Sequence, residues 1–209
     1  MLLTELLVAG LVASIVLAAL GTTFVGALRA ASRASVGIAA TAEGRSALDT
    51  VSRRLRVAVR PAAGQPIFTE ATGTSMTFTA SLSDAGSTAD PAPSTVRYVV
   101  DTGRGCLLET VTPASGVSRT TCLAFGELTT SFSYFRVAKR PTLDRPSPSP
   151  VPTTAMTLGA GGLSAADALV VGAVELSLSV RDRRAPTTAR PVVLHTRVLL
   201  DNDLNEVPS

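Results

Sequence analysis

Histidine and cysteine, the side chains most often used for acid–base and nucleophilic chemistry near neutral pH, are few in this chain and far apart in its sequence. Histidine occurs once, at His195, and cysteine twice, at Cys106 and Cys122. A Ser-His-Asp triad needs a histidine between a nucleophile and an acid, and a zinc site needs several Cys or His ligands. The two cysteines are also too far apart for the Cys-x-x-Cys motif of redox-active pairs. These residue types argue against an enzyme, and we expect no cofactor.

Acidic and amide side chains alternate near the C-terminus, at Asp201, Asp203 and Asn205. This spacing matches the first odd-numbered ligands of a calcium-binding loop, but Glu206 stands where that loop needs a glycine. A solvated acidic tail accounts for the same residues. We expect the tail, and the three residues are only weak metal candidates.

The composition describes a small apolar protein with balanced charge. Of its 209 residues, 45% are hydrophobic and 17% are charged, with 19 basic and 16 acidic side chains. The length fits one domain of ~100–200 residues with an appendage. The charge balance is too even for a dedicated nucleic-acid binder, and a solvated hairpin loop accounts for the basic run at 181–184. A nucleic-acid partner is conceivable but not indicated.

An uncharged apolar run extends from Leu6 to Leu28. At ~1.5 Å of helical rise per residue it is long enough to cross the ~30 Å hydrocarbon core of a bilayer. A cleavable secretory signal has a shorter apolar region behind a basic start, and no basic residue precedes this run. The run therefore predicts a membrane-spanning helix.

Two features distinguish this helix from an ordinary anchor. Glu5 stands at the edge of the run, where a carboxylate is costly to place in lipid and so suggests a function. Arg29 and Arg33 follow the run, so the positive-inside rule would leave the rest of the chain in the cytoplasm. A cysteine pair is uncommon in that reducing compartment. The conflict disappears if the chain is a processed product that has lost a basic leader.

The first residues, MLLTELLVA, resemble the start of a mature type IV pilin or pseudopilin. In that superfamily a prepilin peptidase cuts after a glycine and methylates the new N-terminus, and the fifth residue is glutamate, as Glu5 is here. Met1 departs from the usual Phe. The resemblance implies that Met1 is the processed, N-methylated N-terminus. It also implies the pilin fold, an α+β structure in which a long N-terminal helix packs on an antiparallel β-sheet body.

The helical pattern continues from residue 29 to residue 60 and is expected to stop at Pro61. Leu48, Val51, Leu55 and Val59 recur every three or four residues, a stripe able to pack on a sheet. We therefore predict three regions: 1–28, an apolar transmembrane or filament-core helix; 29–60, its amphipathic continuation; and 61–209, a β-rich head. Gly21 and Gly26 are either weak points of the helix or sites of close helix packing.

Beyond Pro61 the periodicity changes to two, which predicts strands separated by Gly, Pro and Asp punctuation. The predicted strands lie near 76–80, 95–100, 106–110, 118–124, 128–137, 168–180 and 191–201. The last two, joined through 181–190, should form an antiparallel pair. The Pro-rich segment 140–154 is expected to be a surface loop that cannot pair within a sheet. Its hydroxyl residues Ser147, Ser149, Thr153 and Thr154 are candidates for O-linked sugars.

The order of these strands is similar to that of J-type minor pseudopilins and W-type minor pilins. Cys106 and Cys122 enclose a hairpin with its loop near residues 113–116, and a disulfide between them would contribute ~3 kcal/mol. Two free buried thiols are the alternative. An extracytoplasmic head favours the disulfide.

The expected function is that of a structural subunit of a type IV pilus or related extracellular filament, assembled through the N-terminal helix. Glu5 would pair with an α-amino group of its own or a neighbouring chain. Partners would be other copies or other pilin subunits, the prepilin peptidase and the inner-membrane assembly machinery. The protein would lie in the cytoplasmic membrane before assembly and at the cell surface afterwards. Alternatives are a minor pseudopilin at the tip of a type II secretion pseudopilus, or a membrane-tethered adhesin module.

Overall fold

A computed structural model describes residues 3–62, 64–82, 93–114, 116–137, 153–181 and 190–200. The described chain belongs to the α+β class, as predicted. It has a long N-terminal helix, a short second helix and nine strands in two antiparallel sheets. The elements are α1 (Leu3–Arg56), β1 (Phe68–Ala71), β2 (Ser75–Ser81), β3 (Pro93–Asp101), β4 (Cys106–Thr112), β5 (Arg119–Phe125), β6 (Glu127–Val137), β7 (Thr153–Ala155), α2 (Ala165–Ala168), β8 (Val171–Arg181) and β9 (Val192–Leu199).

The two sheets meet where β6 passes the turns of the first sheet. The first sheet has the order β1-β2-β3-β4-β5 and the second the order β7-β6-β8-β9. The amide of Gly126, just before β6, donates to the carbonyl of Gly105 at 2.9 Å, and the amide of Phe132 donates to Gly73 at 2.9 Å. β8 and β9 form the antiparallel pair that the sequence predicted.

Helix α1 ends at Arg56, not at Arg60 as the sequence analysis predicted. The amide of Val57 donates to Arg54 and that of Ala58 to Leu55, so the last turn tightens to three-residue spacing. The chain then joins the first sheet, because the amide of Val59 donates to the carbonyl of Thr79 at 2.9 Å. Pairing with β2 therefore ends the helix before the proline does.

Of the four residues in the predicted stripe, three lie on α1, whereas Val59 lies beyond its end. Leu48, Val51 and Leu55 are buried, and they join one core with the inward side chains of both sheets. The chain divides into two compact units, Met1–Ala39 and Ala40–Ser209. The second unit, which we call the head, thus includes the last part of α1.

Three short elements were not predicted. β1 pairs with β2, and the four-residue α2 is capped by the Ser164 side chain, which accepts from the amide of Asp167. The predicted bounds of the Pro-rich loop, 140–154, extended too far, because Thr153 and Thr154 belong to β7 and pair with β6 within the second sheet. Unlike a proline, each threonine has a backbone N–H that it can donate within a sheet. Ser147 and Ser149 lie outside the described residues.

Candidate assembly helix and its attachment to the head

The residues named from sequence as assembly and metal candidates fall largely at the ends of the chain. Glu5 is a helical residue of α1. Met1 lies outside the described residues, as do Asp201, Asp203 and Asn205. Among the described residues no group of three or more His, Cys, Asp or Glu side chains could hold a metal ion. His195 is exposed on β9, opposite Ser177.

The first part of α1 exposes apolar side chains in every direction. Its large side chains from Leu7 to Leu28 are between 44% and 69% exposed: Leu7, Val8, Leu11, Val12, Ile15, Val16, Leu17, Leu20, Phe24, Val25 and Leu28. Eleven such side chains on successive turns cover all faces of a helix, not one stripe. Among the described helices, α1 is the one long and apolar enough to cross a membrane.

The few polar side chains within this apolar run are satisfied by the helix itself. The hydroxyl of Ser14 donates to the carbonyl of Leu11 at 2.8 Å, and that of Thr22 donates to Ala19 at 2.9 Å. The hydroxyl of Thr23 donates to Leu20 at 2.8 Å. Such bonds remove the need for water or for a partner side chain, so the run presents no unsatisfied hydroxyl to an apolar environment.

The glycines of this segment are helical and open to their surroundings. Apart from its chain neighbours and the adjoining backbone of the helix, a Cβ added to Gly10, Gly21, Gly26 or Gly37 would have no atom within 4 Å. α1 is continuous through Gly21 and Gly26. Small surfaces of this kind allow another helix to approach closely.

The last part of α1 has the opposite character. Ala47, Leu48, Val51 and Leu55 are 7% exposed or less and face the sheets. At Gly44 the second sheet comes so close that an added Cβ would lie 2.6 Å from Cδ1 of Leu194. The side chain of Glu43 accepts from the amide of Phe125 at 2.7 Å, at the end of β5. Residues 43 and 44 therefore contact both sheets.

A buried carboxylate fastens α1 to the first sheet. Glu109 on β4 is 6% exposed and accepts from the Tyr98 hydroxyl at 2.7 Å. The Arg54 guanidinium lies 3.4 Å from the same carboxylate oxygen. Burial, and secondarily the Glu109 charge, raise the pKa of Tyr98 well above its ordinary value. This cluster was not predicted from sequence, although an acid at an inward position between Leu107 and Val111 indicates a buried partner.

The two cysteines form a disulfide across the β4–β5 hairpin, which confirms the predicted pairing. Their Cα atoms are 5.9 Å apart, within the normal range for such a bond. No free cysteine is present, so the alternative of two free thiols is wrong. The bond spans a bulge at which Leu108 pairs with Cys122 while Leu107 pairs with Ala124.

The chain matches no protein-family model and no curated protein. The features of this chain that indicate a role are therefore the two parts of α1 and the residues that join its last part to the sheets.

Proposed function

We propose that this chain is a pilin-like structural subunit of a type IV pilus or related extracellular filament. In this proposal the apolar part of α1 holds the subunit in the cytoplasmic membrane before assembly and packs against other subunits afterwards. One observation carries the proposal. The same helix is apolar and exposed on all sides from Leu7 to Leu28, but is amphipathic and packed into the head from Ala40 onward.

The apolar part needs an environment that the described chain does not supply. Fully burying a Leu, Val, Ile or Phe side chain is worth about 1.5–3 kcal/mol, so eleven side chains that are each about half exposed represent roughly 10–20 kcal/mol. Lipid satisfies this demand, and so does a bundle of neighbouring helices. The internally bonded hydroxyls of Ser14, Thr22 and Thr23 suit either environment.

Glu5 is the feature that favours a bundle over a simple anchor. A carboxylate at the end of an apolar helix is costly in lipid, and an anchor gains nothing from it. In a stack of such helices it can pair with an α-amino group of a neighbouring chain, which neutralises both charges and fixes the axial position of each subunit. A membrane-tethered adhesin has no such use for the acid. A minor pseudopilin would use it in the same way, so that alternative differs from the proposal in copy number and in the kind of filament, a secretion pseudopilus and not a surface pilus.

The test compares Glu5→Ala with Thr4→Ala, a neighbouring control that leaves the charge in place. Breaking one half of a buried ion pair costs about 3–5 kcal/mol, and a filament repeats that loss at every mutant subunit. The Glu5→Ala protein should insert into the membrane and form its disulfide normally, yet be missing from surface filaments seen by electron microscopy. Thr4→Ala should assemble at the wild-type level.

Two results would contradict the proposal. One is a wild-type yield of surface filaments that contain Glu5→Ala subunits at normal occupancy. The other is the absence of this protein from every surface filament of cells that make the unsubstituted chain. If only minor amounts of the wild-type protein are found, and the major filament is unchanged by Glu5→Ala, the subunit is a minor one.

A further inference from the structure

The two cysteines of the disulfide differ sharply in accessibility. β4 is an interior strand, and Cys106 on it lies between Asp101 of β3 and Phe125 of β5. Cys106 is only 1% exposed. Cys122 lies on β5, an edge strand of the first sheet as described, and is half-buried. The difference follows from the strand order, since an edge strand has a sheet neighbour on one side only.

This difference in accessibility determines which of the two cysteines can take part in thiol–disulfide exchange. A thiolate must approach the sulfur that it attacks, and the mixed disulfide that results must fit at that sulfur. We infer that Cys122 is the cysteine that exchanges with an external disulfide, and that Cys106 is the resolving cysteine. The partner class is an oxidised thiol–disulfide exchange protein that meets the head outside the reducing cytoplasm.

The oxidation then proceeds in two steps. The Cys122 thiolate attacks the partner's disulfide, whose S–S bond breaks as a mixed disulfide forms on Cys122 and one partner thiolate leaves. The Cys106 thiolate next attacks the Cys122 sulfur, which forms the Cys106–Cys122 bond and releases the second partner thiolate. Two thiols of the head are oxidised, one disulfide of the partner is reduced to two thiols, and the two protons pass to those thiols.

The surroundings of Cys106 support this order of events. Asp101 of β3 and Phe125 of β5 lie opposite Cys106 in the two ladders, so the strand is covered on both sides. The amide of Arg104 donates to Asp101 Oδ1 at 3.0 Å, which holds the β3–β4 turn in place beside Cys106. An external disulfide therefore reaches Cys106 less easily than Cys122. As the second nucleophile Cys106 needs no such access, because the hairpin already places it beside the Cys122 sulfur.

The test uses two variants of the full-length protein in detergent, Cys106→Ser, which leaves Cys122, and Cys122→Ser, which leaves Cys106. Each is incubated with oxidised glutathione, and the mixed disulfide is followed by intact mass spectrometry. We expect Cys122 to react at least about tenfold faster than Cys106, because only exposed thiolates exchange readily. Equal rates, or a faster reaction at Cys106, would overturn the inference.

Two further measurements show whether a difference in rate comes from the folded head or from unfolding of one variant. In denaturant the two thiols should react at similar rates, so a rate difference that disappears there reports the folded head. The unsubstituted protein, reduced and freed of reductant, is also treated with less than one equivalent of iodoacetamide and mapped by peptide. Alkylation mainly at Cys122 is expected, whereas alkylation mainly at Cys106 would contradict the assignment. None of these readouts depends on filament assembly.

Discussion

Residues 7–28 and residues 40–56 of α1 have the same backbone conformation but opposite surroundings. In the first segment every large apolar side chain is at least 44% exposed, whereas in the second Val51 is 0% and Leu55 1% exposed. The first segment has no charged residue, while the second has Arg45, Asp49, Arg53 and Arg56 on its exposed side. Helical structure alone therefore does not indicate what role each segment of α1 has. What differs is where each segment finds its apolar environment, within the chain or outside it.

The comparison also separates two kinds of stability. The head has its own core, a disulfide and a buried carboxylate, Glu109, that pairs with Arg54 of α1. The apolar segment has none of these, and its free energy depends on lipid or on other helices. Substitutions in the two segments should consequently affect different measurements.

The largest expected difference comes from placing the same acid in each segment. Val51→Asp buries an unpaired carboxylate in the core and should reduce the free energy of unfolding of the head by at least about 4 kcal/mol. Val16→Asp changes a side chain that is 51% exposed, so the head should keep its stability to within about 0.5 kcal/mol. Urea unfolding of the full-length protein in detergent, followed by near-ultraviolet circular dichroism, measures both. Equal losses would mean that the two segments unfold as one unit.

The disulfide should stabilise the head alone. Replacing both cysteines, Cys106→Ser with Cys122→Ser, removes a cross-link with a sequence separation of 16 residues. The chain-entropy relation gives a loss of about 3 kcal/mol for a loop of this size. Membrane partition of the apolar segment should not change, since the bond lies wholly within the head. Urea unfolding with and without reductant measures the loss of stability, and flotation of membranes measures the partition. Reduced flotation of the double variant would contradict the expectation that the disulfide acts on the head alone.

High pH should also act on the head and not on the apolar segment. The chain has two tyrosines, Tyr98 and Tyr134, and both are 0% exposed. Burial raises the pKa of each phenol, with secondary contributions from the charges of Glu109 and Glu70 respectively. Because the folded pKa is the higher one, the stabilisation is complete below the unfolded value of 10.0 and is lost as the pH rises above it. The loss should be about 1.4 kcal/mol per tyrosine for each pH unit.

Tyrosinate absorbance gives the direct measurement, because the chain has no tryptophan. Both phenols should ionise together with unfolding of the head and not gradually before it. Tyr134→Phe should reduce the slope of stability against pH by half while removing a hydrogen bond to the carbonyl of Thr72. Tyr98→Phe should do the same while removing a hydrogen bond to Glu109. Gradual ionisation of a folded head would contradict the burial of these side chains.

Long, strongly patterned segments were the ones that could be predicted from sequence. The apolar run, the stripe of Leu48, Val51 and Leu55, and the paired strands β8 and β9 follow from periodicities that many residues repeat. β1, β7 and α2 are three or four residues long, too short for any period, and they exist because β2, β6 and the core supply their partners. The end of α1 was placed too late for a related reason, since pairing of Val59 with Thr79 competes with the helix.

The residues that fasten α1 to the sheets were harder to find. Arg54 and Glu109 are 55 residues apart in sequence, and Glu43 and Phe125 are 82 apart. Contacts between residues so far apart produce no local pattern in the sequence. An inward acid on an alternating strand indicates that a partner exists, but not which element provides it.

Replacing a glycine by alanine in each segment of α1 has the smallest expected effect. Alanine at Gly26 meets no atom within 4 Å, so Gly26→Ala should favour the helix by up to about 1 kcal/mol without affecting the head. At Gly44 the same gain is opposed by contact with Cδ1 of Leu194, a half-buried side chain that must move by a few tenths of an ångström or more. Gly44→Ala should therefore leave the stability of the head nearly unchanged or slightly lower. In a Leu194→Ala background the contact is gone, and Gly44→Ala should then stabilise the head by about 0.5–1 kcal/mol. A double-mutant cycle measured by urea unfolding gives the coupling between the two positions. Zero coupling would mean that the second sheet does not approach α1 at this glycine, and the division of the helix into an open and a packed segment would have to be moved toward Ala47.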